Sequence, residues 1–376
     1  MIIVVMLSYY CTLTTSSGLS RKMIIYHSEN HQLHAPEYEF YRGERVPCFE
    51  SPRRADLVLS QLKKEQHELR LPDVDSSTSL AQVHGMAYLE FLENAWQQWL
   101  ERDLNNATQQ PFPSVWPIRS LRSDVEPTDF IAKLGLYSMD NGSPMVAGTW
   151  VAAKASADAA ASAAALVAGG QASVFCATRP PGHHAGKDFM GGYCFLNNAA
   201  VATQTLINAG IEKVAILDVD FHHGNGTQSI FYDRDDVLFA SIHGDPKTEY
   251  PFFLGHADET GEGPGEGYNL NLPLPAGTQS EQWFAALDTA VQRVKQHQPG
   301  ALVVSLGLDT YAEDPISNFE LKSDDFKVLG SKLSQLGLPT VIILEGGYAT
   351  DDLGINTALV IQGFEQTLTN SEATHD

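Results

Sequence analysis

The sequence predicts an α/β protein: an open, mostly parallel, multi-stranded sheet with helices on both faces. Three observations carry that expectation. Five short runs rich in Val, Ile, Leu and Phe lack the strict alternation of half-exposed strands. Helical stretches separate several of them, and 30 glycines and 19 prolines in 376 residues call for many tight turns and shaped loops.

In chain order, residues 1–22 form an N-terminal extension that opens with the apolar run MIIVVMLSYYCTL. It is short for a bilayer span and has no basic residue ahead of it, so it reads as an upstream extension, with a cleaved export signal as the alternative. Met23–Tyr26 is a strand-like start to a domain expected over 23–370, in a cytoplasmic protein. From about 71 to 148 the pattern changes. A helix over Met86–Leu100 carries Trp96 and Trp99, and PFPSVWPIRSLRSDVEPTDF follows as an elaborate, proline-broken loop of the kind that is usually functional. An alanine-rich helix over Thr149–Val167 leads to a strand at Ala172–Cys176, a helix with an apolar face at Asn197–Asn208, and strands at Lys213–Val219 and Asp236–Ile242. Next come a helix at Glu281–Gln296, preceded by Thr278 and Ser280 and acidic in its first turn, and strands at Ala301–Leu306 and Thr340–Leu344. Strand, crossover helix and strand in repetition place an active site at the carboxyl ends of the strands. Without repeats or a low-complexity linker the chain reads as one domain, two subdomains being the alternative.

With 46 acidic against 24 basic residues the formal charge is -22. Such a surface repels nucleic acid and anionic lipid and suits a cationic substrate or partner, although a merely soluble surface has the same balance. Cys11, Cys48, Cys176 and Cys194 lack CxxC spacing, which points away from a disulfide framework or a thiolate zinc knot. No run beyond the leader reads as a membrane span.

The chemistry is concentrated in four segments. VAILDVDFHHGNG (214–226) runs a buried strand into Asp218, Asp220 and His222, alternate residues that share one side if the chain stays extended. Asp220 and His222 form a metal-ligand pair, although an aspartate also caps helices and a histidine also packs in cores. VVSLGLDTYAEDP (303–315) ends a second strand in Asp309. Two carboxylates and one imidazole suit Zn²⁺ with an open position for water, and would also accept Fe²⁺ or Co²⁺. RPPGHHAGKDFMGGYCFLNN (179–198) projects His183 and His184 from a loop framed by proline and glycine, a pair able to take and return a proton. One of the two could instead be a structural hydrogen-bond partner. EGGY (345–348) follows PTVIIL and frees Tyr348 to donate to an oxyanion.

These segments, with YHSENHQLH and FASIHGDP, resemble the arginase-like deacetylase superfamily of histone deacetylases, acetoin-utilisation proteins and bacterial acetylpolyamine amidohydrolases, most closely the last. The resemblance spans Met23 to about Gly363. It implies zinc ligands at Asp220, His222 and Asp309, a general base and acid at His184, a mainly electrostatic His183, and a carbonyl-polarising Tyr348. It further implies Asn225 behind His184, and Asp218 behind His183 and shared with a structural K⁺ held by Ser241 and the backbone of Asp220 and His222. A second cation would sit near the backbone of Phe231, Arg234 and Val237. Tyr193 and Tyr250 would line a narrow acylamine channel. Asp129 and Asp140 are candidate mouth carboxylates, because Ile131 and Gly142 stand where polyamine-selective relatives place acids.

The implied activity is zinc-dependent hydrolysis of N-acetyl amides of small cationic amines, with no organic cofactor, by a homodimer or higher homo-oligomer. Trp96, Trp99, Trp116 and the proline-rich loop suit an interface and equally suit internal packing. A protein or peptide acetyl-lysine deacylase is the alternative enzyme, a two-manganese ureohydrolase would want more metal-facing ligands, and a non-enzymatic acylamine-binding module would have lost one of the motif residues.

Overall fold

A computed structural model describes residues 22–372. The reading of the leader as an extension or export signal therefore lies outside the described residues.

Eight parallel strands form the main sheet, and their order follows from crossovers through helices. They are β1 (Ile24–Tyr26), β4 (Glu68–Arg70), β5 (Ser173–Cys176), β6 (Val214–Asp218), β7 (Val237–Gly244), β8 (Asn269–Leu274), β9 (Ala301–Leu306) and β10 (Thr340–Leu344). Across the sheet they run β4-β1-β5-β10-β9-β6-β7-β8, and every pairing is parallel. The central strands are buried at every position because helices cover both faces, which is why their sequences run apolar without alternation. A separate hairpin pairs β2 (Tyr38–Tyr41) with β3 (Glu44–Pro47).

One apolar layer packs the helices α2 (Ser77–Val83), α3 (Met86–Arg102), α5 (Thr149–Ala168) and α6 (Asn198–Asn208) onto the sheet. The short helix α7 (Asn225–Phe231) follows β6, and the other layer is closed by α1 (Pro52–Lys64), α8 (Ser280–His297), α9 (Ser323–Ser334) and α10 (Thr350–Glu372). The sequence offers no membrane span beyond the leader, whereas the helix α5 is long and apolar enough by composition to cross a bilayer, yet 67% of its most apolar window is buried inside the fold. Alanines on nearly all its sides let it lie against β5 and α6 as a core helix.

The expected strands and helices lie within two residues of their anticipated ends. The segment 71–148 is more ordered than a long loop, since it holds α2, α3, a 3₁₀ turn at Leu104–Thr108 and the short helix α4 (Phe130–Leu136). Its proline-rich stretch remains without helix or strand up to Asp129. Trp99 packs internally: its indole Nε1 donates to the carbonyls of Asn106 and Gln109, and its ring lies 5.7 Å from that of Phe130.

Candidate active site

The strand β6 ends at Asp218, so the alternation expected through His222 is replaced by two tight turns. The Asp218 carboxylate accepts the backbone N–H of Asp220 at 3.2 Å, and the Asp220 carboxylate accepts that of His222 at 2.9 Å. Asp309 follows β9, and its Oδ1 accepts the N–H of Phe221 at 2.9 Å, which ties the two strand ends together. The ligand atoms of Asp220, His222 and Asp309 all lie within 4.8 Å of one another.

Electrostatics and packing both fit a cation there. Burial pulls the His222 imidazole down, but its hydrogen bonds to Asp220 and Asp309 push it up to about 10. A proton is thus held between two buried carboxylates at the place where a divalent ion would replace it. Glycines keep the cradle open. A Cβ on Gly346 would stand 2.6 Å from Asp220 Oδ2 and 2.7 Å from Asp309 Oδ2, and one on Gly307 would stand 2.1 Å from Asp220 Oδ2.

The histidine pair lies beside this cluster, its two rings 4.0 Å apart. The environments separate them. His183 Nδ1 donates to Asp218 Oδ2 at 3.1 Å, and although burial opposes charge, Asp220 and Asp218 raise this imidazole to about 10. His184 Nδ1 faces Asn225 Oδ1 at 2.7 Å, and burial followed by repulsion from His183 and His222 holds it well below the ordinary range. Because an amide oxygen only accepts, Nδ1 of His184 carries the hydrogen and Nε2 is left as an acceptor. Asp218 and Ser241 are register partners across β6 and β7, and the Ser241 hydroxyl pairs with His243 Nδ1 at 2.8 Å.

Tyr348 is held by Asp314 and Arg54. Asp314 accepts its backbone N–H at 2.7 Å and that of Ala349 at 3.2 Å. The buried Arg54 guanidinium lies 4.7 Å from its ring centroid and donates to the carbonyls of Gly347 and Glu345. Arg54 and Arg179 share the buried carboxylate of Glu50. The Glu345 carboxylate in turn accepts the N–H groups of Gly182 and His183 at 2.6 and 3.2 Å, joining the tyrosine turn to the histidine loop.

A cavity of about 580 Å³ opens over these groups; His184, His222, Asn225, Tyr193, Tyr250 and Tyr348 all line it. The Tyr250 ring stands 5.0 Å from His184 and the Tyr193 ring 5.5 Å from Tyr348. Asp140 lines the wall as expected of a mouth carboxylate, but it is already bonded by the Tyr250 hydroxyl at 2.7 Å and the N–H groups of Gly142 and Gly192. Asp129 is not part of the lining. It caps α4 by accepting from Ile131 and Ala132 and pairs with Arg102, because closeness in sequence does not carry it around the loop to the cavity.

Sequence reasoning missed Glu39, on β2, whose carboxylate lines the cavity and accepts the Tyr193 hydroxyl at 2.9 Å. Burial raises the acid to about 7, against hydrogen bonds from Tyr193 and the Phe49 backbone that pull it down. Glu50, Arg54, Arg179 and Asp314 were also missed. Only Asp314 and Arg179 lay within motifs already noted.

A parallel α/β scaffold that gathers acid, imidazole and phenol groups at its carboxyl edge defines a metal-dependent amide hydrolase with the arginase-deacetylase fold. The chain belongs to the histone deacetylase family: residues 48–364 match the histone deacetylase domain. It is 51% identical over 346 residues to acetylpolyamine amidohydrolase 1 of Pseudomonas aeruginosa, covering 91% of this chain and 99% of that one. Acetylpolyamine amidohydrolase 2 of the same organism is 49% identical over 344 residues, with the same coverage. The crystal structure of acetylpolyamine aminohydrolase from Burkholderia pseudomallei superposes with a TM-score of 0.86 at 38% identity, covering 92% of this chain and 99% of that one.

Proposed function

We propose that this protein hydrolyses N-acetyl amides of small cationic amines, of the acetylpolyamine kind, to acetate and the free amine. The observation that carries the reading is the cavity itself. Its floor holds His184, His222 and Tyr348, and its wall holds Glu39, a buried carboxylate that accepts the Tyr193 hydroxyl. Together with Asp140 it makes that wall acidic, which suits the ammonium of an amine substrate. Relatives about half identical over nearly their full length bear the name acetylpolyamine amidohydrolase.

Asp220, His222 and Asp309 would hold the divalent ion, for which Zn²⁺ is the first choice and Fe²⁺ or Co²⁺ also suit the donor set. When bound, such an ion supplies Lewis-acid polarisation of the acyl carbonyl and activation of water. The remaining steps belong to the chain. His184, with Nδ1 fixed by Asn225, presents Nε2 to take the proton of the attacking water. His183, charged against Asp218, stabilises negative charge growing at the acyl carbon's oxygen. The Tyr348 hydroxyl donates to that oxygen, and a protonated histidine returns a proton to the departing amine nitrogen. Asp218 and Ser241, with the backbone of Asp220 and His222, would hold a structural K⁺, and the backbone around Phe231, Arg234 and Val237 a second.

Self-association belongs to the same reading. Val115, Ile118, Leu121 and Val125 expose apolar side chains along the proline-rich segment, which supports an interface there.

The test is a turnover panel on metal-defined protein with N-acetylputrescine, N-acetylspermine and an acetyl-lysine peptide. The acetylated amines are the expected substrates, and a clear preference for the peptide overturns the assignment.

A further inference from the structure

The cavity changes sign between its wall and its rim. Glu39, buried, and Asp140, half-buried, make the wall acidic, whereas Arg42 is exposed and is the one lysine or arginine among the described lining residues. Arg42 occupies the tip of the β2–β3 hairpin, where it and Gly43 have φ of 50° and 85°. Two consecutive positive φ values make the tight two-residue turn that fixes where the side chain begins.

The hairpin is not free to swing. Tyr38 and Phe40 pack on Phe112 at 5.5 and 4.9 Å, Arg45 stacks 3.7 Å over Tyr38, and Gln110 bonds the backbone of both Glu37 and Tyr38. The Arg42 guanidinium rests 5.1 Å over the ring of Tyr41, which also lines the cavity. Among the described residues no carboxylate lies within ion-pair distance of it, in a chain with nearly twice as many acids as bases. Glu249, elsewhere in the lining, is engaged by the Asn318 side-chain amide.

We infer that Arg42 is a specificity-determining residue that disfavours substrates bringing a further ammonium group to the rim, so that acetylated diamines are preferred over longer acetylated polyamines. The inference rests on the acylamine reading above. An acetyldiamine spends its one ammonium on the acidic wall. A longer polyamine carries additional ammonium groups outward, where an unpaired guanidinium repels them.

The experiment measures kcat/KM for N-acetylputrescine and N-acetylspermine with zinc-loaded wild-type protein and with Arg42→Lys, Arg42→Gln and Arg42→Glu. The acetylspermine-to-acetylputrescine ratio should hold in Arg42→Lys and rise about threefold to fivefold in Arg42→Gln, the size of one unit-charge interaction in near-aqueous surroundings. It should rise further in Arg42→Glu, and the wild-type ratio should climb with added salt. Equal changes in the Lys and Gln variants would assign the effect to packing on Tyr41 and overturn the inference. A ratio unmoved by Arg42→Glu, with both amines still hydrolysed, overturns it while leaving the acylamine reading intact. Wild-type protein that hydrolyses neither amine overturns both.

Discussion

Asn225 Oδ1 and His184 Nδ1 are 2.7 Å apart, whereas the neighbouring His183 faces a carboxylate at 3.1 Å. Adjacent residues in the chain therefore meet a neutral partner and a charged one, and the difference fixes which imidazole stays free to accept a proton. Asn225→Asp would give His184 a charged partner too. Its pKa should rise, and since the neutral form is the base, the acid limb of kcat/KM against pH should move up by about one unit. An unshifted limb would deny His184 that role.

Tyr348→Phe removes one donor while keeping the ring under Arg54. Activity should fall about 100- to 1,000-fold, the cost of losing one oxyanion-hole donor, with metal content unchanged by elemental analysis. Near-normal turnover would end the assignment.

Asp309→Ala removes one of two carboxylates from the metal cradle and the acceptor for the Phe221 N–H. Zinc occupancy after dialysis against limiting metal should drop, and chelation of the wild-type protein should abolish hydrolysis until zinc is restored. Equal metal content in variant and wild type would remove Asp309 from the ligand set.

Burial raises Glu39 from its ordinary 4.5 to about 7 in the folded chain. An acid whose pKa is higher folded than unfolded stabilises the fold at low pH, and that contribution is lost as pH climbs from 4.5 toward 7. Glu39→Gln keeps an acceptor for Tyr193 and escapes the penalty. Its Tm should exceed wild type by more at about pH 8 than at about pH 5, while KM for cationic acylamines rises. A Tm difference independent of pH would contradict the buried-carboxylate account.

Glu50 sits between two buried guanidiniums, and Glu50→Ala strands both. Urea unfolding should show a loss of about 3–5 kcal/mol, typical of breaking a buried ion pair from one side. A loss below 1 kcal/mol would mean that neighbouring carbonyls suffice for Arg54 and Arg179.

How far the sequence discloses this protein depends on how local each signal is. The strand at Ala301–Leu306 is legible because burial on both faces demands unbroken apolar residues, whereas β8 escaped notice because Asn269 and Asn271 alternate into a buried polar network with Gln228. The strand β4, three residues long at the sheet edge, carries too little pattern to read. At the site, His183, His184, Asp220, His222, Asp309 and Tyr348 stand in motifs, and the structure brings them together. Glu39 and Arg54 lie far upstream and reach the site only through tertiary packing, so no spacing announces them. Asp129 had a local signal that went unread: an acid ahead of FIAKL is a helix cap before it is a ligand.

The β2–β3 ribbon shares no backbone ladder with the main sheet, yet it contributes Glu39 and Arg42 to the cavity. Its link to the catalytic groups runs through Tyr193, whose hydroxyl donates to Glu39 and whose ring stands against Tyr348. If Arg42 sets the preference as inferred, exchanging this one short ribbon between relatives, with Glu39 kept for Tyr193, should carry amine choice with it, so that new diets can arise without reinventing the chemistry.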